Sequence, residues 1–347
     1  MSAAFLDPRA TLVLDDYVID FAWAPGGTQI AIAGGEGGVF LGELAGGVLQ
    51  ANKVGEHMLG ALCVVWQPGG DQFVSSGQDG TVALYGADGG LRRSWRPSKV
   101  ASEHLAFAPG GALLAVASGK LLTLYTPDGQ THQQYEPLPA AINALAWDKP
   151  GRDLCAATHG AMVVIRPETR ALRSYKWAGT CLTAAFAPNG KVLASGMADG
   201  AVHFWYLATA KDSQMRGYPG RVTLTSWDAA GRYLATGAGS EIVIWDFGGR
   251  GPEGSKPLQL SGHTDRIECL AFAPTGGYLV SGGRDWRLSL WQPGKAKVAL
   301  DAHLTDSETS ALRWSPDGRF LALGERKGRV TIYELIQTAK LANKVKR

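Results

Sequence analysis

The sequence predicts an all-β chain closed into a ring of eight four-stranded antiparallel blades, a β-propeller, and three observations predict it. Eight aromatic residues, Trp23, Trp66, Phe107, Trp147, Phe186, Trp227, Phe272 and Trp314, stand 39–45 residues apart along the chain. Four positions after each stands a glycine (Gly27, Gly70, Gly111, Gly151, Gly190, Gly231, Gly276, Gly318), and seven after it a large apolar residue (Ile30, Phe73, Leu114, Leu154, Leu193, Leu234, Leu279, Leu321). Glycine, at 46 of 347 residues, is nearly twice its ordinary usage of about 7%, which demands many tight turns and hence many short strands. A period near 42 residues is the mark of a repeated supersecondary unit that cannot bury its faces alone and stacks on its neighbours.

Each copy divides into four strands by the same physics. An apolar run ends in the anchoring aromatic, and a Pro/Gly turn such as Ala273-Pro274-Thr275-Gly276 reverses the chain. A second strand (Gly277 to Ser281 in copy seven) returns, and a Gly/Asp turn leads to a third. The third closes on an aromatic in most copies: Tyr85, Tyr125, Trp205, Trp245, Trp291 and Tyr333. A more polar fourth stretch follows, as in Leu91–Trp95 and Leu172–Lys176, suited to the outer edge of a small sheet.

Strand counting predicts how the ring closes. Eight copies need eight outer strands, but only seven lie between copies. Thr11–Leu14 is the remaining candidate, so it is expected to complete the last blade. The chain then divides into an N-terminal extension (1–10), one propeller (11–335) and a basic tail (336–347). Leu341 and Val345 of that tail, four residues apart, could share a short helix, with Lys340, Lys344, Lys346 and Arg347 supplying its charge.

These residues resemble the WD40-repeat family over about Thr11 to Leu335. Copy seven carries the fullest pattern: Gly262-His263 ahead of it, Asp285 in its second turn and Trp291 closing its third strand. The resemblance implies a hydrogen-bonded set within the blade of His263, Ser281, Asp285 and Trp291. Copies two and five keep the turn aspartate as Asp79 and Asp199; copies one, three, four and six lack it. The family's commonest blade number, seven, is the alternative to eight. Family resemblance also implies an interaction platform rather than an enzyme.

Rim loops of a propeller vary freely because the strands carry stability. The second turns and the loops leading into copies six to eight gather Arg216, Tyr218, Arg221, Arg266, Arg284, Trp286, Arg287, Arg326 and Lys327. Trp286 takes a turn position where glycine is usual in this chain, so it is expected to point outward. Arg and Trp dominate interface hot spots, and the sector is expected to bind an acidic protein segment. Against this stands a solvated loop surface with some arginines paired to Asp265, Asp285 or Glu325.

A second constellation bears on metal. Three positions before their anchors stand Asp20, Cys63 and His104, with Cys269 in copy seven and Glu103 and Glu268 adjacent; all are zinc-ligand types. Without HxxxH or CxxC spacing, no metal or other cofactor is expected. His303 is expected to resemble His263, while His57, His132, His159 and His203 find no evident partners. Enzymatic signatures are absent: the sequence holds no GxSxG elbow, phosphate loop or HExxH helix, and Gly34–Gly38 is a turn. A metal-linked propeller, or an enzyme with a site in the channel, is the alternative to the scaffold.

Bulk composition narrows the setting. At 45% hydrophobic and 19% charged the chain can build a core. A net charge of +3 gives no reason to expect nucleic acid as a partner. No apolar run spans a membrane, Met1 to Arg9 carries no secretory signal, and the four cysteines make no disulfide framework. A cytoplasmic protein, monomeric because a ring leaves no unpaired sheet edge, is the expectation.

Overall fold

Each of the eight copies folds as the repeat predicts. The computed structural model describes residues 4–249 and 251–337, and these form eight antiparallel blades with no helix. Blade one runs Val18–Trp23, Gln29–Gly34, Gly38–Ala45 and Val48–Glu56; blade seven runs Ile267–Phe272, Leu279–Gly283, Arg287–Trp291 and Asp301–Leu304. In blade four the second and third strands form one run, Leu154–Arg166. Its first half pairs with Ile142–Trp147 and its second with Ala171–Thr180. The run turns at Gly160 (φ 87°), where Thr158 Oγ1 donates to the Ala161 carbonyl at 2.8 Å.

Alternation along each strand decides the packing. Successive side chains point to opposite faces, so Leu234 packs toward blade five while Ala235 packs toward blade seven. The buried apolar residues fall into eight clusters, each shared by two neighbouring blades. Eight blades in an open stack would share seven interfaces; the eighth is the seam. There Ala10, Ala322, Val330 and Ile332 of blade eight meet Val18, Phe21, Ile30 and Ile32 of blade one. The innermost strands likewise touch their neighbours all the way round, enclosing a central channel.

The closing strand is longer than the sequence predicts. Ala4–Val13, not Thr11–Leu14, pairs with Arg329–Gln337, so residues 4–10, expected as an extension, belong to blade eight, as do Ile336 and Gln337. Pro8 is what hides it. Proline donates no ladder hydrogen bond and is tolerated on an edge strand or at a bulge, and the register here shifts between Pro8 and Ala10. The strand is further held by Asp301, whose carboxylate accepts the Leu6 N–H at 2.8 Å, and by an Arg9–Glu334 ion pair at 2.7 Å. The remainder of the basic tail, 338–347, lies outside the described residues.

The tryptophan anchors are inter-blade staples. Trp23, Trp147, Trp227 and Trp314 each donate the indole N–H to the carbonyl just before the preceding blade's anchor. Those acceptors are Arg313, Ala106, Ala185 and Ala271, at 3.0–3.3 Å. Trp23 does so across the seam. Trp66 departs from the pattern and donates within its own blade to the Gly70 carbonyl at 3.2 Å.

Candidate functional site

Strand pairing settles which loops share a face. Ile267 opposes Gly283, and Arg287 opposes Leu304. The loop leading into blade seven, its second turn at Arg284–Trp286 and the segment after Leu304 therefore project together. Trp286 is 48% exposed and holds φ at 59°, a left-handed conformation that is an outlier for a bulky residue. The equivalent turns of blades two and eight place Gly80 and Gly328 there, where a Cβ would come within 2.7 Å and 2.4 Å of a backbone oxygen. Blade seven keeps a tryptophan in that strained place, with the Lys327 ammonium 6.0 Å from its ring and Leu304, 78% exposed, in the adjoining strand.

Around it the predicted arginines separate into two groups. Arg284 binds Glu268 through Nε at 2.5 Å, Arg266 lies 3.6 Å from the same carboxylate, and Arg326 binds Glu308 at 3.0 Å. These three form an exposed network with Glu268 and Glu308, not with the carboxylates the sequence suggested. Asp285 is taken by His263 and Glu325 by the Ser307 N–H at 2.7 Å. Arg287 and Arg221 are exposed and, among the described residues, have no side-chain partner. Arg216 is exposed in a groove between the outer strand of blade five and Trp245 with the Pro252–Ser255 loop of blade six.

Tyr218 does not belong to the sector. Its hydroxyl accepts the Trp245 indole N–H at 2.6 Å and lies 2.6 Å from Thr236 Oγ1. Burial pushes its pKa up to about 12. It is a structural member of blade six, in the role that a histidine plays in blade seven.

That blade-seven network forms as the family resemblance implies. His263 Nδ1 sits 3.0 Å from both Asp285 oxygens, and its Nε2 lies 2.7 Å from Ser281 Oγ, which accepts the Trp291 N–H at 2.9 Å. Since a carboxylate only accepts, the Nδ1–H donates to Asp285, leaving Nε2 to accept from Ser281. His57, which the sequence leaves without a partner, repeats the His–Ser half of the arrangement in blade two, with Asp79 nearby but beyond hydrogen-bond distance. Its Nε2 is 2.7 Å from Ser75 Oγ and its Nδ1 3.6 Å from Asp79. The missed signal was spacing: His57–Ser75, Tyr218–Thr236 and His263–Ser281 all lie 18 residues apart. His203 is also partnered, by Asp212 at 3.0 Å and by stacking on Trp177. His303 differs from His263 in bonding Asp301 of its own strand at 2.9 Å.

In the Asp20–Cys63–His104 row, Asp20 is committed to other partners. Asp20 Oδ1 accepts from Arg313 at 3.0 Å and from the Phe21 N–H, and Oδ2 accepts from the Val64 N–H. Burial, with Asp20 alongside, pushes the Cys63 thiol far up, and burial lowers the His104 pKa. In copy seven, Cys269 is buried, its thiol raised to about 12, while Glu268 is committed to Arg284. Among the described residues no group of three His, Cys, Asp or Glu side chains is placed to hold a metal.

Comparison with known proteins fits this geometry. The family model "WD domain, G-beta repeat" matches residues 52–85, 172–206 and 254–292. Each match takes the outer strand of one blade with the inner strands of the next, and the three contain Asp79, Asp199 and Asp285. Among curated proteins, the chain is 28% identical over 124 residues to THO complex subunit 3 of Arabidopsis thaliana, covering 35% of this chain and 39% of that protein. It is 29% identical over 132 residues to the anaphase-promoting complex subunit cdc20 of Dictyostelium discoideum, covering 37% and 26%. Similarity to pre-mRNA-processing factor 19 of Oryza sativa subsp. japonica is 26% over 174 residues, covering 45% and 32%. The matched stretches thus span well under half the length of these relatives. In fold, the chain is similar to the C-terminal WD40 domain of Sif2, with a TM-score of 0.78 at 12% identity, covering 95% of this chain and 98% of that one. Eight blades in a closed ring, three stretches that match WD repeats and a His–Ser–Asp–Trp network in blade seven make the chain an eight-bladed β-propeller that carries WD repeats.

Proposed function

We propose that the chain is a non-catalytic scaffold that binds an acidic protein segment on the loop face over blades seven and eight. The observation that carries this reading is Trp286. An exposed tryptophan is kept in a left-handed turn where other blades use glycine, next to Lys327 and the unpaired Arg287. A strained residue that the fold itself does not need is a pointer to function, and Trp and Arg are both enriched at interface hot spots. Relatives named as subunits of the THO and anaphase-promoting complexes support a role in protein assembly. Arg221 offers a second cation toward blade six, whereas the Arg266–Arg284–Arg326 network, already paired with Glu268 and Glu308, sets the local field rather than the contact. The four free thiols suit a reducing compartment such as the cytoplasm.

The test is affinity capture from the native host with wild type and an Arg287→Glu/Trp286→Gly double variant. The variant is expected to lose a discrete subset of partners, enriched in acidic segments. Identical partner sets would end the proposal.

A further inference from the structure

The opposite mouth of the channel carries a second feature. A cavity of about 380 Å³ opens there, within the ~300–1,000 Å³ range of small-molecule sites. Its walls come from five neighbouring blades: the anchors Trp23, Trp66, Phe107 and Trp314, backed by turn prolines, with Arg313 as its charged member. Two breaks in the eightfold pattern meet in it. The slot just before the anchor is Ala22, Val65, Ala106, Ala146, Ala185, Ser226 and Ala271 in the other copies, but Arg313 in copy eight. Trp66 is the tryptophan anchor that does not staple to the preceding blade, and it stands in the same wall.

Arg313 is fixed along one edge. Its Nε donates to the Phe21 carbonyl at 3.3 Å and one Nη2 hydrogen to Asp20 at 3.0 Å. Asp20 spreads its charge over the Phe21 and Val64 N–H groups as well. The side chain is 57% exposed, and among the described residues the end-on edge of its guanidinium, Nη1 with the second Nη2 hydrogen, has no partner. A planar fork anchored on its side and free at its end matches a carboxylate in bidentate geometry. Aromatic walls around that fork favour an apolar body behind the charge.

We infer that this mouth is a binding site for an apolar carboxylate, either a small aromatic acid or the free C-terminal residue of a polypeptide ending in an apolar side chain. The site lies on the face opposite Trp286 and does not depend on the rim reading.

Isothermal titration of the full chain tests it with 2-naphthoate against 2-naphthamide, and with acetyl-Gly-Gly-Phe as free acid against its C-terminal amide. Saturable binding of either acid, with its amide at least about tenfold weaker for want of the charge-assisted pair, is the expected result. Binding confined to the tripeptide acid identifies a polypeptide end as the source, and binding confined to naphthoate a small acid. Arg313→Lys, which keeps the charge and loses the fork, should weaken the acid to the level of the amide. Circular dichroism checks that this variant folds, and Lys211→Gln, an exposed cation outside both proposed sites, should leave the affinity unchanged. No saturation by either acid at millimolar concentration, equal binding of acid and amide, or a folded Arg313→Lys that binds as wild type would overturn the inference.

Discussion

Replacing Trp286 by glycine should not weaken the fold, and replacing it by alanine should. At φ 59° any residue with a Cβ bears the left-handed penalty, about 1–2 kcal/mol. Alanine keeps that penalty and loses the contact with Lys327, an exposed cation–π pair of about 0.5–1 kcal/mol. Glycine loses the same contact but relieves the strain, at a cost of about 0.5–1 kcal/mol in unfolded-chain entropy. The difference leaves Trp286→Gly more stable than Trp286→Ala by about 0.5–1 kcal/mol, and close to wild type. Denaturant titration reads this as a shift in midpoint at constant slope, provided unfolding is two-state. An alanine variant as stable as the glycine variant, or more so, would refute the account of strain and with it the claim that tryptophan is kept here at a structural cost.

Two other perturbations follow from the packing. His57, His104 and His203 all have pKa values lowered by burial, so below the unfolded value of about 6.5 the unfolded chain binds more protons than the folded one. Stability should be fully present above pH 6.5 and fall as the pH drops from there, while the contribution of Asp246, held low by its hydrogen bond to Arg232, is fully present above its ordinary 3.8 and is lost only below it. Thermal melts at pH 7.5 and 5.5 check this, and an equal or higher melting temperature at pH 5.5 would contradict it. Trp314→Ala removes a buried anchor and should cost about 3–5 kcal/mol. Trp314→Phe gives up chiefly the staple to Ala271 and should cost about 1 kcal/mol, and denaturant midpoints for the two variants should differ accordingly.

The ring was legible because every copy solves the same problem in the same order, so one aromatic, one glycine and one apolar residue recur in register. What stayed hidden lies between copies. The Ala4–Val13 strand is masked by Pro8 and Arg9, which read as loop until the partner strand Arg329–Gln337 gives the edge position that tolerates them. Tyr218 looked like rim surface because a tyrosine in a histidine's place breaks the family motif, though it keeps the 18-residue spacing. His57 was missed for the converse reason: the histidine stands in place but Tyr85 replaces the closing tryptophan. Carboxylate partners of the rim arginines come from a neighbouring strand and the next blade's leading loop, Glu268 and Glu308, and no local pattern announces them. Arg313, one large side chain in a row of small ones, was visible in the alignment of the copies; only the channel geometry shows why it matters.

The seam offers the most direct test of ring closure. Thr11 opposes Thr331 in the closing pair, and their hydroxyl oxygens lie 3.4 Å apart. A Thr11→Cys/Thr331→Cys variant, oxidised under dilute conditions and run on a non-reducing gel, should form an intramolecular disulfide that links the two ends of the chain and speeds its migration. A variant that stays reduced, or links only between molecules, would show that the N-terminal strand does not complete the eighth blade.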